Sequence, residues 1–138
     1  MFHELAFQIA KKAHSNQVDK VGKDYILHPM KVASYMDTDT EKAVAYLHDV
    51  LEDTNVTEDE LRNMFPNEIV DTVIILTHRK DESYFEYISR VSTSKLAKKV
   101  KVADLLHNLD ITRIKEPTKQ DHERLEKYKK AIIYLATH

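Results

Sequence analysis

Apolar residues recur at helical spacing along almost the whole chain. Leu5, Ile9 and Ala13 fall at i, i+4 and i+8, with Phe2, Ala6 and Ala10 beside them, which predicts an amphipathic helix ending before His14. Residues 15–23 are polar and read as a loop. His28-Pro29 opens a second helix, with Pro29 near its first turn, where a missing N–H breaks no hydrogen bond. Thr38-Asp39-Thr40-Glu41 has the form of a capping box, in which hydroxyl and carboxylate exchange bonds with orphan amides, and it starts a third helix running to about Asp53. Thr57 and Glu60 repeat the pattern for a short helix ending near Phe65, and Pro66-Asn67 interrupts the chain. The next run, 69–77, is rich in β-branched residues and is the one place for a strand. The spacing of Ile69, Val73 and Leu76 predicts a buried helix instead. Residues 83–91 form another short helix, with Tyr84, Tyr87, Ile88 and Val91 on one side. Ser94 begins a longer helix through about Ile114, and Thr118 begins the last.

The expectation is an all-α, compact single-domain bundle of about eight helices over residues 1–138. Composition sharpens it. One Gly in 138 residues excludes glycine-rich phosphate loops and argues against tight hairpins and parallel βαβ units. No Cys excludes disulfides, thiolate zinc sites and cysteine nucleophiles. The net charge of −2 offers no field for nucleic acid, and the basic cluster at 95–101 reads as a solvated helix side. Apolar stretches such as 73–76 are far short of a membrane span, and Glu4, Lys11 and Lys12 interrupt any signal-like region. A cytoplasmic protein with neither a nucleic-acid nor a membrane partner is expected.

The candidate chemistry lies in two helices. His48-Asp49 sits within an otherwise apolar segment, 45–53, and Glu52 and Asp53 follow one turn later, so four polar groups share one helix face. Ionisable groups in an apolar background are costly to bury without a partner, and crowded carboxylates repel. A bound cation removes both costs; a partly exposed polar edge at Asp53-Thr54-Asn55 is the alternative. Asp104 lies in a second apolar helix, with Lys101 one turn back and Asn108 one turn on, so it is either salt-bridged by Lys101 or a ligand where two helices meet at a metal. Of the other histidines, His3, His122 and His138 read as surface, His78 as a helix C-terminal cap, and His14 and His107 as ambiguous.

In order, His28, His48-Asp49 and Asp104 resemble the H…HD…D pattern of HD-domain metal-dependent phosphohydrolases. His14, Gln17, Lys20, Gly22 and Tyr25-Ile26-x-His28-Pro29 resemble the entry motif of the RelA/SpoT-type alarmone hydrolase domain. The segments at 47–54 and 100–108 are similar to its later motifs, and the likeness runs from about residue 4 to residue 114. The resemblance implies the HD-domain fold, with His28, His48, Asp49 and Asp104 holding one divalent ion, by similarity Mn²⁺. Two imidazoles and two carboxylates suit an oxygen-tolerant metal. It implies that Glu52 and Asp53 orient and deprotonate water, and that Lys20, Lys101 and Asn108 bind substrate.

Some positions depart from that family. Asp19 stands where members acting on guanosine tetraphosphate carry an arginine able to stack on guanine; Val21, Asp24 and Ile111 differ as well. The segment from Glu82 to Val91 is more like small single-domain HD proteins, and Tyr84 and Tyr87 read as core packing or as a stacking surface. The expected function is a guanosine 3′,5′-bis(diphosphate) 3′-pyrophosphohydrolase-like enzyme acting on a nucleotide. The alternatives are an HD hydrolase of another nucleotide or phosphate ester, and a non-catalytic nucleotide- or metal-binding regulatory module.

Overall fold

The structure, a computed structural model, describes residues 1–19, 22–110 and 116–138. Among these the secondary structure is helical: α1 (Phe2–Ala13), α2 (Leu27–Ser34), α3 (Asp39–Leu47), α4 (Val50–Asp53), α5 (Glu58–Met64), α6 (Asn67–Ile75), α7 (Tyr84–Val91), α8 (Lys95–Asn108) and α9 (Lys119–Thr137). The eight expected helical stretches are all present, the third of them divided in two. The β-branched run is α6, a helix with Ile69, Val70, Thr72 and Val73 buried. No described helix is long and apolar enough to cross a membrane.

Hydroxyl caps set most of the helix starts. Thr38, Ser83 and Thr118 close reciprocal boxes with Glu41, Glu86 and Asp121. Thr57 and Ser94 accept the amides of Glu60 and Ala97. Each cap is worth about 1 kcal/mol. α8 ends at Asn108 rather than continuing toward 114, and Lys20, Val21 and Ile111, all singled out above, lie outside the described residues.

α3 is the central element. Ala43, Val44, Ala45 and Leu47 are fully buried, and α1, α2, α6 and α8 pack around them. α1 presents Ala6 and Ala10 to this helix, small residues that permit close approach, and His3 bonds Asp39 at 2.6 Å where the surface reading left it free. α9 seats Ala131 and Leu135 against α7 and α8. Burying each Val or Leu of this core stabilises the fold by about 1.5–3 kcal/mol.

One boundary corrects the sequence reading. A continuous helix was expected from 39 to 53, but the chain breaks at His48-Asp49, where Asp49 adopts φ −108°, ψ −2°. The Ala45 carbonyl, which a continuous helix would offer to the Asp49 amide, takes the His48 ring N–H at 2.6 Å. The Asp53 amide still bonds the Asp49 carbonyl at 2.9 Å, so Glu52 and Asp53 stay one turn beyond the pair. The break therefore places His48 and Asp49 at the end of the central helix α3, facing α2 and α8.

Candidate metal centre and cavity

Three elements deliver the cluster. α2 supplies His28, the α3–α4 break supplies His48 and α8 supplies Asp104, all buried, and one ligand atom from each lies within 4.8 Å of the others. His28 Nε2 is 2.7 Å from Asp104 Oδ1, and His48 Nε2 is 3.4 Å from the same oxygen and 3.1 Å from Asp49 Oδ2. Adjacent ligands of an octahedral ion with bonds of about 2.1 Å sit about 3 Å apart, so these spacings suit a divalent cation.

The donor chemistry points the same way. His48 Nδ1 donates to the Ala45 carbonyl, so in the neutral ring Nε2 carries the lone pair; that atom is buried and has no hydrogen-bond partner, although two carboxylates face it. Burial alone would lower the His48 pKa, but Asp49 and Asp104 outweigh it and raise it well above the ordinary imidazole value. Burial would raise Asp104, yet Lys101, His48 and the His28 hydrogen bond hold it well below the carboxylate range. Asp49 is likewise held at about 2 against its burial, chiefly by His48. The cluster demands a cation between these groups, a proton or a metal ion.

Asp49 is not one of the three convergent residues. Its Oδ2 accepts the Tyr25 hydroxyl and faces His48. Burial, together with Asp49, pushes the Tyr25 hydroxyl far above its usual pKa, so it stays a donor. Tyr25 also packs its ring against His14 with centroids 4.7 Å apart, and His14 Nδ1 lies 2.9 Å from Gln17, whose amide donates to the Asp53 carbonyl at 3.0 Å. His107 pairs through Nδ1 with His28 Nδ1 at 2.7 Å, the rings stacked at 13°. His14 and His107, ambiguous in sequence, thus back the cluster residues from behind. The sequence reading gives Tyr25 no role of its own beyond the motif; its spacing, three residues before His28, is the signal available for that role.

Lys101 and Asn108 also reach Asp104. The ammonium lies 2.9 Å from Oδ2 and the amide donates to Oδ1 at 3.2 Å. Burial would lower the Lys101 pKa, but Asp104 raises it well above its usual value, and the ammonium also sits 5.1 Å above the Tyr87 ring. The salt bridge weighed from the sequence is therefore present, and both side chains still line the cavity.

That cavity has a volume of about 480 Å³. Asp49, Glu52 and Asp53 line it together with His78, Tyr84, Arg124 and Tyr128. Asp53 is exposed at the rim, where partial desolvation and the Asp49 and Glu52 charges raise it to about 6. Glu52 Oε1 accepts the His78 amide at 2.8 Å. His78 is not a helix cap: Leu76 ends α6, and the His78 ring stacks on Tyr87 at 4.8 Å. Tyr87 is buried in the core, its hydroxyl on the Leu76 carbonyl, whereas Tyr84 is half-buried at the cavity wall. Asp19 lines the cavity too. Its Oδ1 accepts the Lys23 amide at 3.1 Å, bracing the turn in which Gly22 takes φ +81°, a left-handed conformation that favours glycine.

Comparison with known proteins places these features in context. A profile described as "HD domain" matches residues 6–135. A probable GTP pyrophosphokinase of Mycobacterium leprae is 32% identical over 137 residues, covering 89% of this chain and 17% of that protein. The guanosine-3′,5′-bis(diphosphate) 3′-pyrophosphohydrolase of Borreliella burgdorferi is 32% identical, covering 84% of this chain and 20% of its own. That of Spiroplasma citri is 33% identical, covering 91% and 19%. This chain thus spans about a fifth of the length of these curated relatives. A solved structure, described as a metazoan ortholog of SpoT that hydrolyses ppGpp, superposes with a TM-score of 0.82 at 23% identity, over 97% of this chain and 84% of its own. That likeness establishes the shared fold.

Proposed function

We propose that this chain, which belongs to the HD-domain family, is a metal-dependent phosphohydrolase. The reaction we assign to it is removal of the 3′-diphosphate from guanosine 3′,5′-bis(diphosphate). The observation carrying the reading is the convergence of His28, His48 and Asp104 at a cavity that also exposes Glu52 and Asp53. The names of the bacterial relatives, at 32–33% identity, support the choice of substrate.

His28, His48 and Asp104 would hold the ion, with Asp49 as fourth ligand and Mn²⁺ as the metal. When bound, the ion supplies Lewis-acid activation of water and of the phosphoryl group. The chain's own residues do the rest. Glu52 and Asp53, one turn past the ligands, orient the water and accept its proton as its oxygen adds to phosphorus. The bond from phosphorus to the 3′-oxygen breaks, pyrophosphate leaves, and the proton returns to the 3′-oxygen as a hydroxyl. Lys101 and Asn108, already on Asp104, steer that carboxylate and present donors to the phosphates; Lys20 adds a further cation. The substrate is an intracellular nucleotide, so this reading puts the protein in the cytoplasm.

A second substrate reading rests on charge. Asp19 lines the cavity at the position where members of the family acting on guanosine tetraphosphate carry an arginine able to stack on guanine. That reversal of charge favours another nucleotide or phosphate ester as substrate. The test is to measure bound metal, then incubate the protein with Mn²⁺ and a nucleotide panel including ppGpp. Pyrophosphate release from ppGpp, abolished in Asp49→Ala and sharply reduced in Glu52→Ala, supports the first reading. Turnover of other panel members alone selects the second, and metal binding without turnover would leave a regulatory module.

A further inference from the structure

Glu52 is held from outside its own helix. The donor is the backbone amide of His78, 2.8 Å from Oε1, in the segment that follows α6. A backbone amide is a useful anchor only if its segment is fixed, and here α7 fixes it. Arg90, which does not line the cavity, donates to the carbonyls of Ile75 at 2.8 Å and Thr77 at 3.0 Å. The Tyr87 hydroxyl takes the carbonyl between them, Leu76, at 2.6 Å. Three consecutive carbonyls at the α6 C-terminus, orphaned by the end of the helix, are thus met by two side chains of α7. The cation at this helix end, sought in His78, is Arg90.

The same guanidinium grips the far end of the segment. Its Nε and Nη2 donate to Glu82 at 2.9 and 2.8 Å, and the Glu82 carboxylate also accepts the Arg79 amide at 3.1 Å. The His78 ring is pinned between Tyr87 and the Glu82 carbonyl, which lies 2.8 Å from Nε2. Residues 75–82 are therefore tied down at both ends by one planar fork, a geometry that a lysine cannot reproduce.

We propose that Arg90 is a positioning residue for Glu52: it immobilises residues 75–82, so that the His78 amide holds Oε1 and leaves Oε2 for proton transfer. The inference rests on the phosphohydrolase reading above. Preorganised placement is where such a contact acts, because a misplaced base lowers turnover without weakening substrate binding.

The test is a double-mutant cycle between Arg90→Met and Glu52→Gln in the Mn²⁺-loaded protein, with ppGpp as probe. Arg90→Met should lower kcat by about tenfold with KM within about twofold, the signature of an interaction made in the transition state. In the Glu52→Gln background it should cost nothing further. Arg90→Lys should recover little, and Glu82→Gln, a milder variant should Arg90→Met fail to fold, should lower kcat by a smaller factor. An equal loss from Arg90→Met in both backgrounds overturns the proposal and leaves Arg90 a helix cap. Full kcat in Glu52→Gln removes the catalytic role of Glu52 and the inference with it. Should the wild-type protein turn over none of the nucleotide panel, the phosphohydrolase reading fails, and amide exchange at His78 then decides the anchoring separately. Arg90→Met must speed that exchange and Glu52→Gln must shift the His78 amide resonance. If neither change is seen, the proposal is overturned.

Discussion

Lys101 invites two expectations for the stability of the unliganded fold, and one substitution separates them. A lysine kept for substrate phosphates is a burden on the unliganded fold, so removing it would leave stability unchanged or raise it. A lysine kept for Asp104 is structural. Its ammonium is 2.9 Å from a carboxylate whose side chain is only 6% exposed, and it is itself 13% exposed. Lys101→Met preserves most of the buried stem and deletes the charge. Breaking a buried pair by removing one partner costs about 3–5 kcal/mol. The lower end applies because His28 and Asn108 still contact Asp104, and losing the contact with the Tyr87 ring adds about 0.5–1 kcal/mol. The expected loss is about 3–4 kcal/mol, which for a chain of this length lowers Tm by about 10 °C. Thermal and urea unfolding of the metal-free protein measure it. A divalent ion, which neutralises the same carboxylate, should recover more stability in Lys101→Met than in the wild type. A loss below about 1 kcal/mol would refute the structural assignment.

Other consequences are as direct. Saturating Mn²⁺ should stabilise the wild-type protein, by about 2.7 kcal/mol at a hundred times Kd, and His48→Ala should abolish the increment; a Tm shift retained in the variant would remove His48 from the site. Glu82 is depressed to about 2, first by its Arg90 hydrogen bonds against the effect of desolvation, so its contribution is complete above its unfolded value of 4.5 and is lost as pH falls from there toward about 2. Because the pair is near the surface, screening limits that loss to about 1–2 kcal/mol, and Glu82→Gln should flatten stability over that window; unaltered acid sensitivity would contradict it. Asp19→Arg gives up the bond to the Lys23 amide but returns a planar cation to the cavity lining, so turnover of ppGpp per folded molecule should rise several-fold, and no change would show that this position does not limit recognition.

The fold was legible because its signals are local. Thr38, Ser83, Thr57, Ser94 and Thr118 cap the helices they were expected to start, since a hydroxyl three residues before an orphan amide needs no tertiary information. The β-branched run of α6 resolved as a helix because its apolar period of three to four outweighs propensity once its face is buried. The break at His48-Asp49 was not legible. It follows from a ring N–H taking a carbonyl within its own helix, and hydrophobic periodicity carries no trace of that.

The site divides along the same line. His48 and Asp104 stood out as ionisable residues in apolar surroundings, a contrast that sequence displays directly, His28 stood out through the resemblance, and the three do converge. Their supports did not stand out, because Tyr25, His107 and Arg90 act across 24, 79 and 13–15 residues of sequence on groups in other elements. An ordered motif thus names the side chains that converge, while the atoms that hold them in place emerge only from packing. The acidic cavity lining follows from this division. Crowded carboxylates are tolerable when each is anchored from behind, as Asp49 is by Tyr25, Asp104 by Lys101 and Glu52 by the His78 amide. What the described residues present toward the cavity from these three anchored groups is a set of carboxylates beside His28, a face that a divalent ion would complement.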